Sequence, residues 1–172
     1  MIDRHPCKLV SLLAVAAILL APLTALAIPK TGQPLPAFAV TTSSGQQVTN
    51  QYYSGRVLLL VFSTDYCSAC KQAVPSIGKL SERYGRQGFH VLGLFSGFSW
   101  DNDDLKKYMK TYGVSYPMAL FEQQLAEDQF GMRSVPYSLL VGKKGVVDGV
   151  YYGYSDGTMK QLEKQVKKLL AE

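Results

Sequence analysis

Two rhythms of apolar residues run along the chain beyond its first thirty positions. Unbroken apolar runs mark buried strands, and apolar residues recurring every three or four positions mark helices. Arg56 to Phe62 (RVLLLVF) follows a glycine and is nearly continuous, the pattern of a central strand covered on both faces. Phe89 to Phe95 reads as a second such strand. Phe38 to Thr42 and Gln47 to Thr49 read as short strands around a Ser44-Gly45 turn, behind a stiff, extended Gly32 to Pro36 segment. A helix is predicted from the residues after Tyr66 to about Tyr84, with a kink expected at Pro75. Gly97 to Trp100 reads as a loop whose Phe98 and Trp100 either join the core, the favoured placement, or rim a groove. Asp101 or Asn102 can cap a helix running to about Tyr112, and Gly113 suits its stop. Gln123 to Phe130 is a short helix. Ser138 to Val141 and Val146 to Tyr152 flank Gly142 to Gly145 as a hairpin. The last helix begins near Asp156 and places Leu162, Val166, Leu169 and Leu170 on one face. Strand, helix, strand, helix, hairpin and helix together predict an α/β fold. Its central mixed β-sheet would be flanked by helices on both faces, with an N-terminal strand/hairpin extension.

The first residues follow a different pattern. Leu9 to Leu20 is almost wholly apolar, Arg4 and Lys8 precede it, and Ala25-Leu26-Ala27 follows. A basic start, a short apolar core and an A-x-A site make a bacterial-type secretory signal peptide (1–27), with cleavage expected after Ala27. The alternative is an uncleaved N-terminal membrane anchor, although Pro22 interrupts a run already short of the ~20 residues that a span needs. A periplasmic or otherwise extracytoplasmic location follows, with residues 28–172 as a single domain.

Composition sharpens this picture. The chain has 172 residues, 47% of them hydrophobic, a formal charge of +5 and three cysteines. Those figures exclude a disordered chain, a collagen-like repeat and a disulfide-dense miniprotein. Removing the signal takes Asp3, Arg4, Lys8, His5 and Cys7 with it, so the charge falls by one to +4. Two cysteines then remain, Cys67 and Cys70, with His90 as the one histidine. A mild basic balance, with lysines concentrated between Lys160 and Lys168, fits a solvated helix face, so no nucleic-acid partner is expected. Two cysteines and one histidine fall short of the four ligands of a structural zinc site, and no metal is expected.

Cys67-Ser68-Ala69-Cys70 stands where a buried strand gives way to a helix. A cysteine at a helix start faces unpaired backbone N–H groups and the positive end of the dipole, both of which favour thiolate. Such thiols have pKa values of roughly 3.5–7.5 instead of about 8.5. Cys67 is therefore expected as the exposed attacking nucleophile and Cys70, one turn later, as the resolving thiol. A structural disulfide stapling a non-catalytic binding module is the competing reading, although so short a loop gains little chain entropy. Ser134-Val135-Pro136-Tyr137 precedes the Ser138 strand, and a proline there marks either a bend or a cis bond.

These features together resemble the thioredoxin-fold family, in particular its exported TlpA/ResA-like branch related to the AhpC/TSA redoxins. The likeness covers nearly all of 32–170, which makes 28–172 a thioredoxin-like domain. It rests on Gly32 to Phe38 as the opening Gly-x-x-x-Pro-x-Phe, on Gly55-Arg56 before the apolar strand, on the C-x-x-C pair and on Pro75. Tyr112 to Pro117 and Phe130 to Pro136 match two further segments, the second carrying the family's cis-proline opposite the cysteines. The resemblance implies a thiol–disulfide oxidoreductase with no cofactor beyond its redox-active pair. Val135 and Pro136 would line the substrate groove and offer backbone hydrogen bonds to an extended peptide. Tyr66 stands in place of the family's usual tryptophan. The implied partners are protein thiols and disulfides and a membrane electron donor, with the protein a monomer acting as a reductant in cytochrome c maturation or general thiol reduction.

Two departures bear on the chemistry. The family often carries a buried carboxylate six residues before the first cysteine or three after the second. Here those positions are Val61 and Ala73. Asp65 is the nearest acid in sequence and would either relay a proton, raise the Cys67 pKa, or stand as a plain loop residue. Lys71 would stabilise a thiolate if its side chain turned that way. A thiol peroxidase of the peroxiredoxin type is the alternative enzyme, since Thr64 lies three residues before Cys67. Against it, Leu60 stands where that motif has proline, and Cys70 is too close to be its usual resolving residue.

Overall fold

The computed structural model describes residues 29–172, and the expected signal segment, 1–27, lies outside them. The apolar run becomes β3 (Val57–Thr64), preceded by a hairpin of β1 (Ala39–Thr41) and β2 (Gln47–Thr49). Helix α1 (Ser68–Tyr84) and β4 (Phe89–Ser96) follow. Next come α2 (Asn102–Tyr112), β5 (Met118–Leu120) and α3 (Gln123–Phe130). The hairpin β6 (Tyr137–Val141) and β7 (Val147–Tyr152) and the helix α4 (Asp156–Ala171) complete the chain.

The main sheet has the order β5-β4-β3-β6-β7. β3, β4 and β5 are parallel, while β6 runs antiparallel to β3 and β7 antiparallel to β6. Each parallel crossover carries a helix, the usual way to return the chain to the same end of a sheet. Leu59 and Val61 of β3 pack with Ala73 and Ile77 of α1, Leu105 of α2 and Leu162 and Val166 of α4. The alternate residues Leu58, Leu60 and Phe62 face Val48 of β2 and Phe130 of α3. Helices therefore cover both faces, and the period of two along β3 explains why its whole run is apolar. The mixed α/β sheet expected from the sequence is what the chain forms.

Local chemistry sets the element ends. Asp101 caps α2, its carboxylate accepting the N–H groups of Asp103 and Asp104 at 2.9 Å, and Gly113 ends the helix at φ +64°. Ser155 caps α4 by accepting from Thr158 N–H. The segment before β1 docks on the outer hairpin strand, where Val147 N–H donates to the Gln33 carbonyl at 2.9 Å. That contact shields part of an edge that would otherwise be unpaired.

Pro75 stands exposed inside α1, which continues as α-helix on both sides of it. Other expectations need correction. β5 and the 3-10 turn Asn50–Tyr53 have no counterpart in the sequence pattern. Trp100 does reach the core, stacked 4.8 Å from Phe95, but Phe98 does not, and is 95% exposed. The cause is local. Ser99 adopts φ +55°, in the left-handed region, and this reversal sends the two aromatic side chains in opposite directions. Trp100 folds back over Gly97, where any Cβ would overlap its ring.

Candidate active site

β3 ends at Thr64 and α1 begins at Ser68, so the three residues between them stand at the carboxyl end of the central strand. Cys67 N–H donates to the Thr64 carbonyl at 3.4 Å, closing a turn that sets Cys67 as the N-cap of α1. Cys67 and Cys70 form a disulfide with their Cα atoms 5.2 Å apart. The Sγ of Cys67 also accepts the Cys70 backbone N–H at 3.0 Å. A sulfur thus fills the position that a serine or aspartate oxygen takes in ordinary N-caps. Reduction would turn this weak acceptor into a charged one, and charge-assisted bonds are roughly twice as strong.

The expected exposure of Cys67 is not met in this oxidised form. Cys67 is 6% exposed and Cys70 4%, nearly the same. With the bond closed, exposure does not distinguish attacker from resolver. Tyr66, immediately before, is 71% exposed and stands beside the pair as an aromatic platform.

Antiparallel pairing brings the second loop to the same end of the sheet. Phe62 pairs with Tyr137, so Pro136 falls next to the close of β3. The Val135–Pro136 bond is cis. The Pro136 carbonyl accepts the Gly153 N–H at 2.8 Å, which ties the β7–α4 loop to it. Val135, like Arg133 and Ser134 before it, makes no backbone hydrogen bond among the described residues, so its N–H and C=O are free beside the cis bond. Tyr154, in the same β7–α4 loop, hydrogen-bonds Ser76 of α1 at 3.0 Å. Gly153 and Tyr154 carry no sequence signal, because only the sheet order makes them neighbours of the motif.

The remaining positions fall as follows. Val61 and Ala73 are buried in one apolar cluster, and no carboxylate replaces them there. Asp65 is half-buried on the opposite side of the motif from Val135 and makes no ion pair among the described residues. Lys71 does not turn to the cysteines; its ammonium lies 5.3 Å from the Tyr112 ring centre, a cation–π contact. His90 packs against Tyr53, and burial lowers its pKa below the usual imidazole value, with Arg56 adding to the effect. Among the described residues, no cluster of three or more His, Cys, Asp or Glu could hold a metal. No helix of the described residues is long and apolar enough to cross a membrane.

A sequence model of the Redoxin family matches residues 30–169, almost the whole described domain. The chain belongs to the redoxin family. Among curated relatives, the thiol-disulfide oxidoreductase ResA of Bacillus thuringiensis (strain Al Hakam) is 27% identical over 140 residues, covering 80% of this chain and 78% of its own. The thioredoxin-like protein YneN of Bacillus subtilis is 25% identical over 135 residues, covering 78% of each chain. In structure, this redoxin superposes on a putative thiol:disulfide interchange protein DsbE from Chlorobium tepidum with a TM-score of 0.75. The identity there is 22%, over 83% of this chain and 99% of the other. A putative protein disulfide isomerase from Bacteroides thetaiotaomicron gives the same TM-score at 23% identity, over 84% and 92%. The TlpA/ResA-like thioredoxin fold expected from the motifs is thus the fold and kinship of this redoxin.

Proposed function

We propose that this redoxin is a thiol–disulfide oxidoreductase that exchanges disulfides with protein substrates through Cys67 and Cys70, and that it works as a reductant. The observation that carries the reading is the placement of Cys67 Sγ at the N-terminus of α1, bonded to Cys70 and beside a cis-proline loop. In the reduced state the Cys67 thiolate attacks one sulfur of a substrate disulfide. The substrate's other sulfur leaves as thiolate, and a mixed disulfide forms. Cys70, deprotonated, then attacks Cys67 Sγ, restoring the Cys67–Cys70 bond and freeing the substrate's second thiolate. Two electrons pass from the protein's dithiol to the substrate, and the two protons lost by the dithiol are matched by two gained by the leaving thiolates. The same steps run backwards oxidise a dithiol.

Val135 supports this reading, because its free N–H and C=O can pair with an extended substrate backbone. The signal-like pattern of 1–27 supports action outside the cytoplasm, on substrates of a cytochrome c maturation or general thiol-reducing kind, with electrons supplied by a membrane donor. Asp65 lines a surface cleft, where its carboxylate can exchange protons with water.

The test is the reduction of insulin disulfides with dithiothreitol as donor. The protein is expected to accelerate it, Cys67→Ser to abolish it, and Cys70→Ser to accumulate a mixed disulfide. Activity that survives Cys67→Ser overturns the assignment of the nucleophile. Peroxide consumption that survives Cys70→Ser would instead make the protein a peroxidase.

A further inference from the structure

The parallel strands β3, β4 and β5 run in one direction, and β4 and β5 lie on the side of the motif away from β6 and its Val135–Pro136 loop. Their carboxyl ends enclose a cleft of about 550 Å³ that starts at Asp65 and Tyr66 and extends over Phe98 to Glu122. Open α/β sheets place their ligand sites at this end. The cleft is acidic although the chain is basic overall. Asp65 and Glu122 line it, no lysine or arginine does, and neither carboxylate has an ion-pair partner among the described residues. Glu122 is the N-cap residue of α3, yet its side chain makes no capping bond. The nearest cations in the adjoining groove are engaged: Lys107 with Asp104 at 3.3 Å, and Lys71 over Tyr112.

The same cleft presents aromatic surface. Phe98 is 95% exposed, and it is held there by the left-handed Ser99, a conformation that residues other than glycine adopt only at a cost. The turn is closed by Trp100 N–H donating to the Gly97 carbonyl at 3.4 Å, with the tryptophan anchored against Phe95 and Tyr108. An anchored loop that holds a phenylalanine in water, next to an exposed tyrosine and two unpaired carboxylates, is a recognition surface by composition.

We infer that this cleft binds the stretch of substrate chain flanking the target cysteine, and that it selects stretches in which a lysine or arginine stands next to an apolar side chain. The inference rests on the oxidoreductase reading above and names the class of substrate that reading leaves open. The division of labour is physical. Val135 offers backbone bonds that are blind to sequence, while the opposite side reads side chains. Tyr66 is adjacent to Cys67, so a substrate chain advancing about 3.4 Å per residue from the attacked sulfur enters the cleft within a few positions. There the cation meets Asp65 and Glu122, and the apolar side chain lies on Phe98.

Two disulfide peptides test this, identical except that Lys-Leu or Glu-Leu flanks the half-cystine, with the small neutral disulfide 2,2′-dithiodipyridine as reference. The wild-type protein is expected to turn over the Lys-Leu peptide with a kcat/KM about five- to tenfold higher, because two partly exposed carboxylates attract its lysine and repel the glutamate of the other. Added salt should shrink that ratio. Glu122→Gln should reduce the preference and Glu122→Lys should cancel or reverse it. Phe98→Ser should lower kcat/KM for both peptides. All three variants should reduce the small disulfide at the wild-type rate. Equal turnover of the two peptides by the wild type, or a preference that survives Glu122→Lys, overturns the inference while leaving the oxidoreductase reading intact. Failure to reduce even the small disulfide removes that reading and the inference with it.

Discussion

At the scale of single residues, the most informative positions are two that hold no charge. Val61 and Ala73 are apolar core beside the motif, so Cys70 has no buried acid at either position to hand its proton to or take one from. Proton exchange is then left to water or to another nearby group. Ala73→Glu is expected to speed resolution of a mixed disulfide trapped on Cys67, at some loss of stability from the buried carboxyl. Its rate should fall away at low pH, because burial raises that carboxyl's pKa. Stopped-flow release of a fluorescent thiol measures this, and an unchanged rate means proton supply does not limit the step. Three residues before Cys67, the Thr64 hydroxyl is buried without a hydrogen-bond partner among the described residues. A group left so costs roughly 1–3 kcal/mol. Thr64→Val, similar in shape and lacking the hydroxyl, is expected to raise the urea midpoint of the oxidised protein. A lower midpoint would show that the hydroxyl is satisfied after all.

Among the elements, the helices that frame the motif are fastened together at the far end of α1. Glu163 of α4 accepts from the Tyr84 hydroxyl at 2.7 Å and pairs with Arg83 of α1 at 2.8 Å and Lys167 at 3.3 Å. The Tyr84 hydrogen bond, with the two cations, holds its carboxyl below the ordinary glutamate value. A depressed carboxyl stabilises the fold above its unfolded pKa of about 4.3, and that contribution is lost as pH falls through the lower folded value. Glu163→Gln should therefore be less stable than the wild type at neutral pH, with the two converging in acid. Thermal melts between about pH 7 and pH 3 check this, and parallel curves would contradict it. The elements differ in how well the chain announces them. β3, β4, α1 and the α2 caps are legible because each carries its own period or capping residue. β5 is only three residues long and is held by pairing with β4, so no local pattern marks it. The direction of Phe98 turns on the φ of Ser99, which the residue type does not reveal.

For the whole molecule, the sheet order decides what surrounds the cysteines. The C-x-x-C pair is visible in the sequence because its chemistry is written within four residues. Its surroundings are less so: Val135 is expected there only through the family resemblance, and Gly153 and Glu122, from two other strand ends, carry no signal. Pro136 is legible as a strand-entry proline, while its partner Gly153 is not. The assembled site has a sulfur on a helix start, a cis-proline loop on one side and an acidic aromatic cleft on the other. A strong oxidant needs a heavily stabilised reduced form. Here Cys67 Sγ accepts a single backbone N–H and the nearby Lys71 is turned to Tyr112, which supports the proposed reductant role. The reduction potential of the Cys67–Cys70 pair, measured by equilibration against defined dithiothreitol or glutathione buffers, tests that most directly. A value near about −270 mV, in the range of thioredoxin, is expected of a reductant, whereas one near about −120 mV, in the range of a strong oxidant, would contradict the assignment.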